Sequence, residues 1–145
     1  MRISVKRPWQ LPVRGAVGAY LISSGLDKRE ANADTANALH GFASGTYPIL
    51  GKVDPVVFAR GLGAGEMALG SALLTPAVPP LVAGAALSAF SAGLLGLYAR
   101  TPGMRRERSL RPSAEGVPLS KDFWLLGVGL GLVVDALTDS RSSRD

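Results

Sequence analysis

Two ionisable residues interrupt an apolar run in "DPVVFARGLGAGEMALGSALLTP", residues 54–76: Arg60 and Glu66. Ionisable side chains inside a membrane-length helix are costly. They mark either a polar clasp between helices or the lining of a site for a ligand or an ion. Glu66 is the residue that could do chemistry there, as a proton acceptor or a protonatable transport site. Arg14 and Asp135 lie in two further apolar segments, and Tyr20 and Ser24 could hydrogen-bond a carboxylate. Together Glu66, Arg14, Arg60, Asp135, Tyr20 and Ser24 are the candidate polar interior or ligand lining. Other chemistry is poorly supplied. Ser24 has no visible His or Asp partner for nucleophilic catalysis. "GLGAGEMALG" has glycines but neither the strand context nor the lysine of a phosphate-cradling loop. There is no cysteine, and His40 is the lone histidine. A haem or metal site built from this chain alone is therefore short of ligands, and no metal site is assigned. His40 reads as a solvated residue, with a quinone or metal contact as the sharper alternative.

These residues need elements to hold them. The chain has 145 residues, one domain by length. Mean hydropathy is only +0.22, but the charges are segregated from four apolar segments. These are about 11–27, 54–75, 79–99 and 122–138, with polar loops 28–53 and 100–121 and a tail, 139–145, expected to be disordered. Asp54 suits an N-cap and Pro55 the first helical position. Pro12 suits a first turn, with Lys6, Arg7 and Trp9 as an interfacial anchor. At about 1.5 Å per residue the second and third segments reach roughly 30–35 Å, whereas the first and fourth reach about 24 Å. The short ones need extension through 8–10 and 118–121. The third and fourth are apolar all round, which disfavours a soluble bundle. No cleavable signal peptide is expected, because "SSGLDKRE" is a poor cleavage site. The fold class is therefore all-α: a four-helix transmembrane bundle in a multi-pass cell-membrane protein.

The connections carry their own signals. "TPAVPP", residues 75–80, is a tight turn. "EANADTANALHGFASG" has Ala31, Thr35, Ala38, Leu39 and Phe42 near helical spacing. It predicts a short interfacial helix between the first and second spans, ending at Gly41 to Gly45. Glycines crowd the apolar segments, and Gly61/Gly65 and Gly127/Gly131 have the four-residue spacing of close helix contacts. Packing within the chain is the plainer reading; a homo-oligomer seam is the other. Net charge is +5. Basic residues flanking apolar segments fit lipid headgroups better than nucleic acid, so no nucleic acid is expected. The run Arg105, Arg106, Arg108, Arg111 reads as a lipid-facing loop or a docking surface for other membrane proteins.

Three stretches carry a family resemblance. "YLISSGLDK" (20–28) resembles the Ser-Gly and Lys that close the first helix of DoxX-type small membrane proteins, in their actinobacterial form. "ARGLGAGEMALGSALL" (59–74) resembles their Gly-rich second helix. "KDFWLLGVGLGLVVDA" (121–136) resembles the last, which commonly opens on Lys-Asn and closes on Asp. The likeness covers roughly residues 10–138. It implies a four-helix membrane bundle and a non-catalytic subunit or anchor of a redox or cell-envelope complex. It also raises the alternative of a quinone-linked oxidoreductase subunit, with quinone as its cofactor. A small proton-coupled transporter is the third reading. The chain departs from the family in a longer 29–52 stretch and in a third helix without the His or Trp often found near its end.

The four-span order assigns depth. Arg14 and Asp135 fall near the end holding the 75–80 turn, and Asp27, Lys28, Arg60, Lys121 and Asp122 near the opposite end. Glu66 alone is central. Arg60 and Glu66 face about 120° apart, at about 100° per residue, and are no i,i+4 pair. Arg60 is expected to reach the border and meet Asp27 or Asp122, and Arg14 to pair with Asp135. Glu66 is expected to meet Arg14, or Tyr20, Ser23 or Ser24, or to take up a proton. Loops 28–53 and 100–121 hold nine Lys/Arg, against five in Arg2, Lys6, Arg7, Arg141 and Arg144. Positive-inside counting places those loops in the cytoplasm.

Overall fold

The computed structural model describes residues 7–142. The chain is all-α, with five helices of 14 to 21 residues: α1 (Gln10–Arg29), α2 (Ala33–Thr46), α3 (Pro55–Leu74), α4 (Pro80–Arg100) and α6 (Asp122–Ser142). A 3-10 turn (Pro48–Lys52) follows α2, and a single turn, α5 (Val117–Ser120), leads into α6. Asp54 caps α3 as its position suggests: Val56 N–H and Val57 N–H donate to its Oδ1 at 2.9 and 3.1 Å. Asn32 caps α2 by accepting from Thr35 N–H at 2.9 Å. α2 does not stop at Gly41 or Gly45. It runs to Thr46, because Tyr47 N–H closes its last turn on Ala43 O.

Two helices are long and apolar enough to cross a membrane, Pro80–Arg100 and the stretch Val117–Ser140. α1 and α3 match them in length at 20 residues each but fall short in composition. The expected extension through 118–121 is present as α5. The expected disordered tail is corrected in part. α6 continues to Ser142, held by Arg7, which crosses to both Asp135 and Asp139. Arg2, Lys6 and Arg144 of the charge count lie outside the described residues, as do the last three positions of the tail.

Two antiparallel helix pairs form the body. In the first, α1 meets α3 at Gly18/Gly70 and Gly25/Gly63, and a Cβ on Gly25 would sit 2.5 Å from Gly63 O. In the second, α4 meets α6 at Gly84/Gly129, where a Cβ on Gly84 would sit 2.7 Å from Gly129 O. Small residues allow this backbone approach. The spacing expected for it was wrong: Gly61, Gly65, Gly127 and Gly131 face open space. Seven residues bring a helix back to nearly the same direction, so Gly18/Gly25 and Gly63/Gly70 align two contacts along one seam.

The pairs join through a core of Leu21, Leu69, Leu73, Ala83, Leu87, Leu125 and Leu132, edged by Val17, Val78, Phe90 and Val128. Most of this core lies toward the end with the 75–79 turn, hereafter the turn end. Leu87 and Leu132 are fully buried, and truncating either to alanine costs about 2–5 kcal/mol. Toward the other end, the loop end, α3 and α4 part. α2 packs there on its buried alanines, Ala36 and Ala43. The helix expected between the first two spans is thus present, and it covers a gap in the bundle.

Candidate functional site

Glu66 is 4% exposed, and its partner is none of those expected. Lys28, near the end of α1, donates from Nζ to Glu66 Oε2 at 3.0 Å and to Ser24 Oγ at 2.7 Å. Helix geometry explains the choice. The Gly18/Gly70 and Gly25/Gly63 contacts put Lys28 level with Arg60. Helical side chains lean toward their own N-terminus. α1 runs toward the loop end, so Lys28 leans back into the bundle and onto Glu66. α3 runs the opposite way, so Arg60 leans outward. It is exposed and has no side-chain partner among the described residues, neither Asp27 nor Asp122. Ser24 completes the pair by accepting from Lys28 rather than by donating to Glu66.

The ion pair lines a pocket of about 580 Å³ between α3 and α4, within the range of small-molecule sites, roughly 300–1,000 Å³. Its walls are apolar: Phe58 and Leu62 of α3, Phe90, Leu94 and Leu97 of α4, and Leu39 and Phe42 of α2. The ionisable side chains lining it other than Tyr47 are Lys28, Glu66, Glu115 and Lys121, so two positive charges meet two negative ones. Tyr47 donates across to Gly93 O at 2.7 Å, with its hydroxyl seated against Gly96, where a Cβ would collide with it. This bond ties the end of α2 to α4. His40 Nε2 donates to Leu50 O at 2.8 Å, which fixes its tautomer, and its ring meets Phe58 edge-on at 5.7 Å. His40 is therefore a brace behind the pocket wall. The described residues contain no group of His, Cys, Asp and Glu able to hold a metal ion.

The turn end takes the other charges. Arg14 is 7% exposed and does not pair with Asp135. Its Nε donates to Leu73 O at 2.8 Å and its Nη2 to Ala72, Thr75 and Val78 carbonyls at 3.0–3.2 Å. Ala72 and Leu73 carry carbonyls that the end of α3 leaves without helical partners, whereas Thr75 O also accepts from Val78 N–H at 3.1 Å. Asp135 instead binds Arg7 and accepts from Gln10 Nε2 at 2.6 Å. The two carboxylates, Asp135 first, hold the Arg7 guanidinium far above its ordinary range. Arg7 and Gln10 were missed because they precede the apolar run.

The remaining candidates scatter. Tyr20 is 44% exposed, with Lys121 Nζ 5.8 Å from its ring centre. Its hydroxyl does not reach Glu66. Arg105 donates to Ala99 O at 2.8 Å and Arg106 to Pro112 O at 3.3 Å, bracing a small hairpin-like loop. Arg108, in the left-handed region at φ 51°, and Arg111 have no side-chain partner among the described residues. Asp122, expected near the loop end as a candidate partner of Arg60, is fully buried, with neither carboxylate oxygen hydrogen-bonded. Lys121 Nζ is 3.5 Å from its Oδ2. One local signal bears on Lys28: it stands four residues after Ser24, to which it donates.

No family model, curated protein or solved structure matches this chain.

Proposed function

We propose that this chain is a multi-pass membrane protein that binds a lipophilic small molecule, acting as a non-catalytic subunit of a larger membrane complex. The observation carrying this reading is the apolar pocket of about 580 Å³ with the buried Lys28–Glu66 pair in its lining. Apolar walls with a few convergent polar groups are the ordinary composition of a ligand site. The two apolar helices support a membrane location. α1 and α3 would complete four spans, since two of their internal charges are satisfied, Arg14 by carbonyls and Lys28 by Glu66, and Arg60 lies exposed toward the loop end. Loops 28–53 and 100–121 would then face the cytoplasm on the lysine and arginine count. The likeness of residues 20–28, 59–74 and 121–136 to DoxX-type proteins supports the subunit role from the sequence side.

A second reading is favoured by one atom. Glu66 Oε1 accepts no hydrogen bond from the described residues. In a quinone-linked subunit this oxygen would accept the proton that a bound quinol releases. The transporter reading has less support, because α3 runs unbroken through Glu66 and offers no unwound backbone to coordinate an ion.

The test is purification in native lipid discs, followed by mass spectrometry of the small molecules retained. A lipophilic compound should be recovered with the protein and lost on Leu94→Trp, which fills the pocket. Equal recovery from both proteins would end the proposal.

A further inference from the structure

Resting on that reading, we infer that the pocket selects a neutral lipophilic alcohol, whose hydroxyl accepts from Lys28 and donates to Glu66. The argument is one of hydrogen-bond valence. An ammonium group has three protons. Lys28 spends one on Ser24 Oγ and one on Glu66 Oε2, which leaves a single donor. A carboxylate has two oxygens able to accept. Glu66 uses Oε2 and leaves Oε1 without a partner among the described residues. Both residues line the same pocket. The Lys28–Glu66 pair therefore offers one free donor and one free acceptor, in a lining that is mostly apolar apart from Tyr47, Glu115 and Lys121.

A hydroxyl satisfies both at once, since it accepts and donates through one oxygen. Other heads fit less well. A ketone or an ether accepts but cannot donate, so Glu66 Oε1 stays unpaired in an apolar setting. An ionised carboxylate is repelled by Glu66, and an ammonium head by Lys28. The charges around the pocket balance, with Lys28 and Lys121 against Glu66 and Glu115, so no net field recruits an ion. Leaving a buried polar group unpaired is what makes such sites discriminate against a ligand that lacks the matching group.

The test uses the full chain in phosphatidylcholine vesicles and three photoreactive probes bearing the same diazirine on the same chain: hexadecanol, its methyl ether and hexadecane. Peptides carrying the label are mapped after irradiation at equal membrane concentrations. Hexadecanol should label the walls around Phe58–Leu62 and Phe90–Leu97. The ether should label them about tenfold less, the loss of one charge-assisted hydrogen bond, and the alkane less again. Equal labelling by all three would overturn the alcohol assignment and leave the pocket reading standing. No labelling of these walls by any probe would overturn both. The joint substitution Lys28→Met, Glu66→Met removes donor and acceptor together, and the preference for alcohol over ether should vanish. Its persistence would also overturn the assignment.

Discussion

The two ends of this bundle handle buried polarity in opposite ways. At the turn end the buried charged groups are engaged. Arg14 serves the carbonyls where α3 stops, and Asp135 takes both Arg7 and Gln10. At the loop end valence is left over. Glu66 keeps a free oxygen, and Asp122 is buried without a hydrogen bond. Ser88, Ser91 and Thr101, from the middle of α4 to its loop end, are also buried without partners. The same division runs through the packing: the leucine core fills the turn half, and the pocket opens in the loop half. A saturated, close-packed end is what holds a fold. An end with unspent donors and acceptors beside a cavity is what meets another molecule.

The largest effect should come from breaking the saturated end. Arg14→Met leaves the Ala72, Leu73, Thr75 and Val78 carbonyls without their shared donor, at about 1–3 kcal/mol for each that water cannot reach. Thermal unfolding in detergent should shift steeply downward, while ligand retention in the folded fraction stays unchanged. Loss of retention with no change in unfolding would invert the assignment of the two ends.

Next is the loop-end pair. Lys28→Met strands Glu66 and should cost about 3 kcal/mol or more, the usual penalty for halving a buried pair. Adding Glu66→Met should restore most of that stability, because an apolar pair of similar volume is often neutral or better. The double variant should unfold near the parent temperature yet retain no ligand. A double variant that stays as unstable as Lys28→Met would make the pair a structural clasp.

How far this contrast was legible follows from physical range. Helix positions were legible because capping and proline signals are local: Asp54, Pro55 and the 75–80 turn act where they stand. Glu66 stood out because burial of a carboxylate is unusual at any position. Its partner was hidden, since choosing among Lys28, Arg14 and Arg60 needs both helix direction and the register of α1 on α3. That register rests on glycines seven residues apart, and the more familiar four-residue spacing of Gly61/Gly65 pointed to the wrong face. Asp135 was misassigned for a related reason. Its partners, Arg7 and Gln10, sit on the polar edge of α1, where hydropathy gives no signal.

A smaller effect tests whether the pocket's cover is latched. Tyr47→Phe removes the bond to Gly93 O but keeps the ring, and should cost about 1 kcal/mol. Hydrogen exchange should rise in α2 and the following 3-10 turn and stay unchanged at the turn end. A uniform rise would show that α2 is integral to the fold rather than a separable cover.

The smallest effect concerns the glycines that face outward. Gly65→Ala adds a methyl group into open space, and the gain in helix propensity is at most about 1 kcal/mol. Gly63→Ala, two residues away, drives its Cβ to 2.5 Å from Gly25 O and the two backbones must separate. The two substitutions should therefore move the unfolding temperature in opposite directions, although their chemistry is identical. If a second copy seats on the outward face in the membrane, Gly65→Ala would still raise the unfolding temperature in detergent but would weaken self-association in vesicles, read by energy transfer between labelled chains. Unchanged energy transfer would assign that face to lipid, and the asymmetry between the two ends would then belong to the single chain.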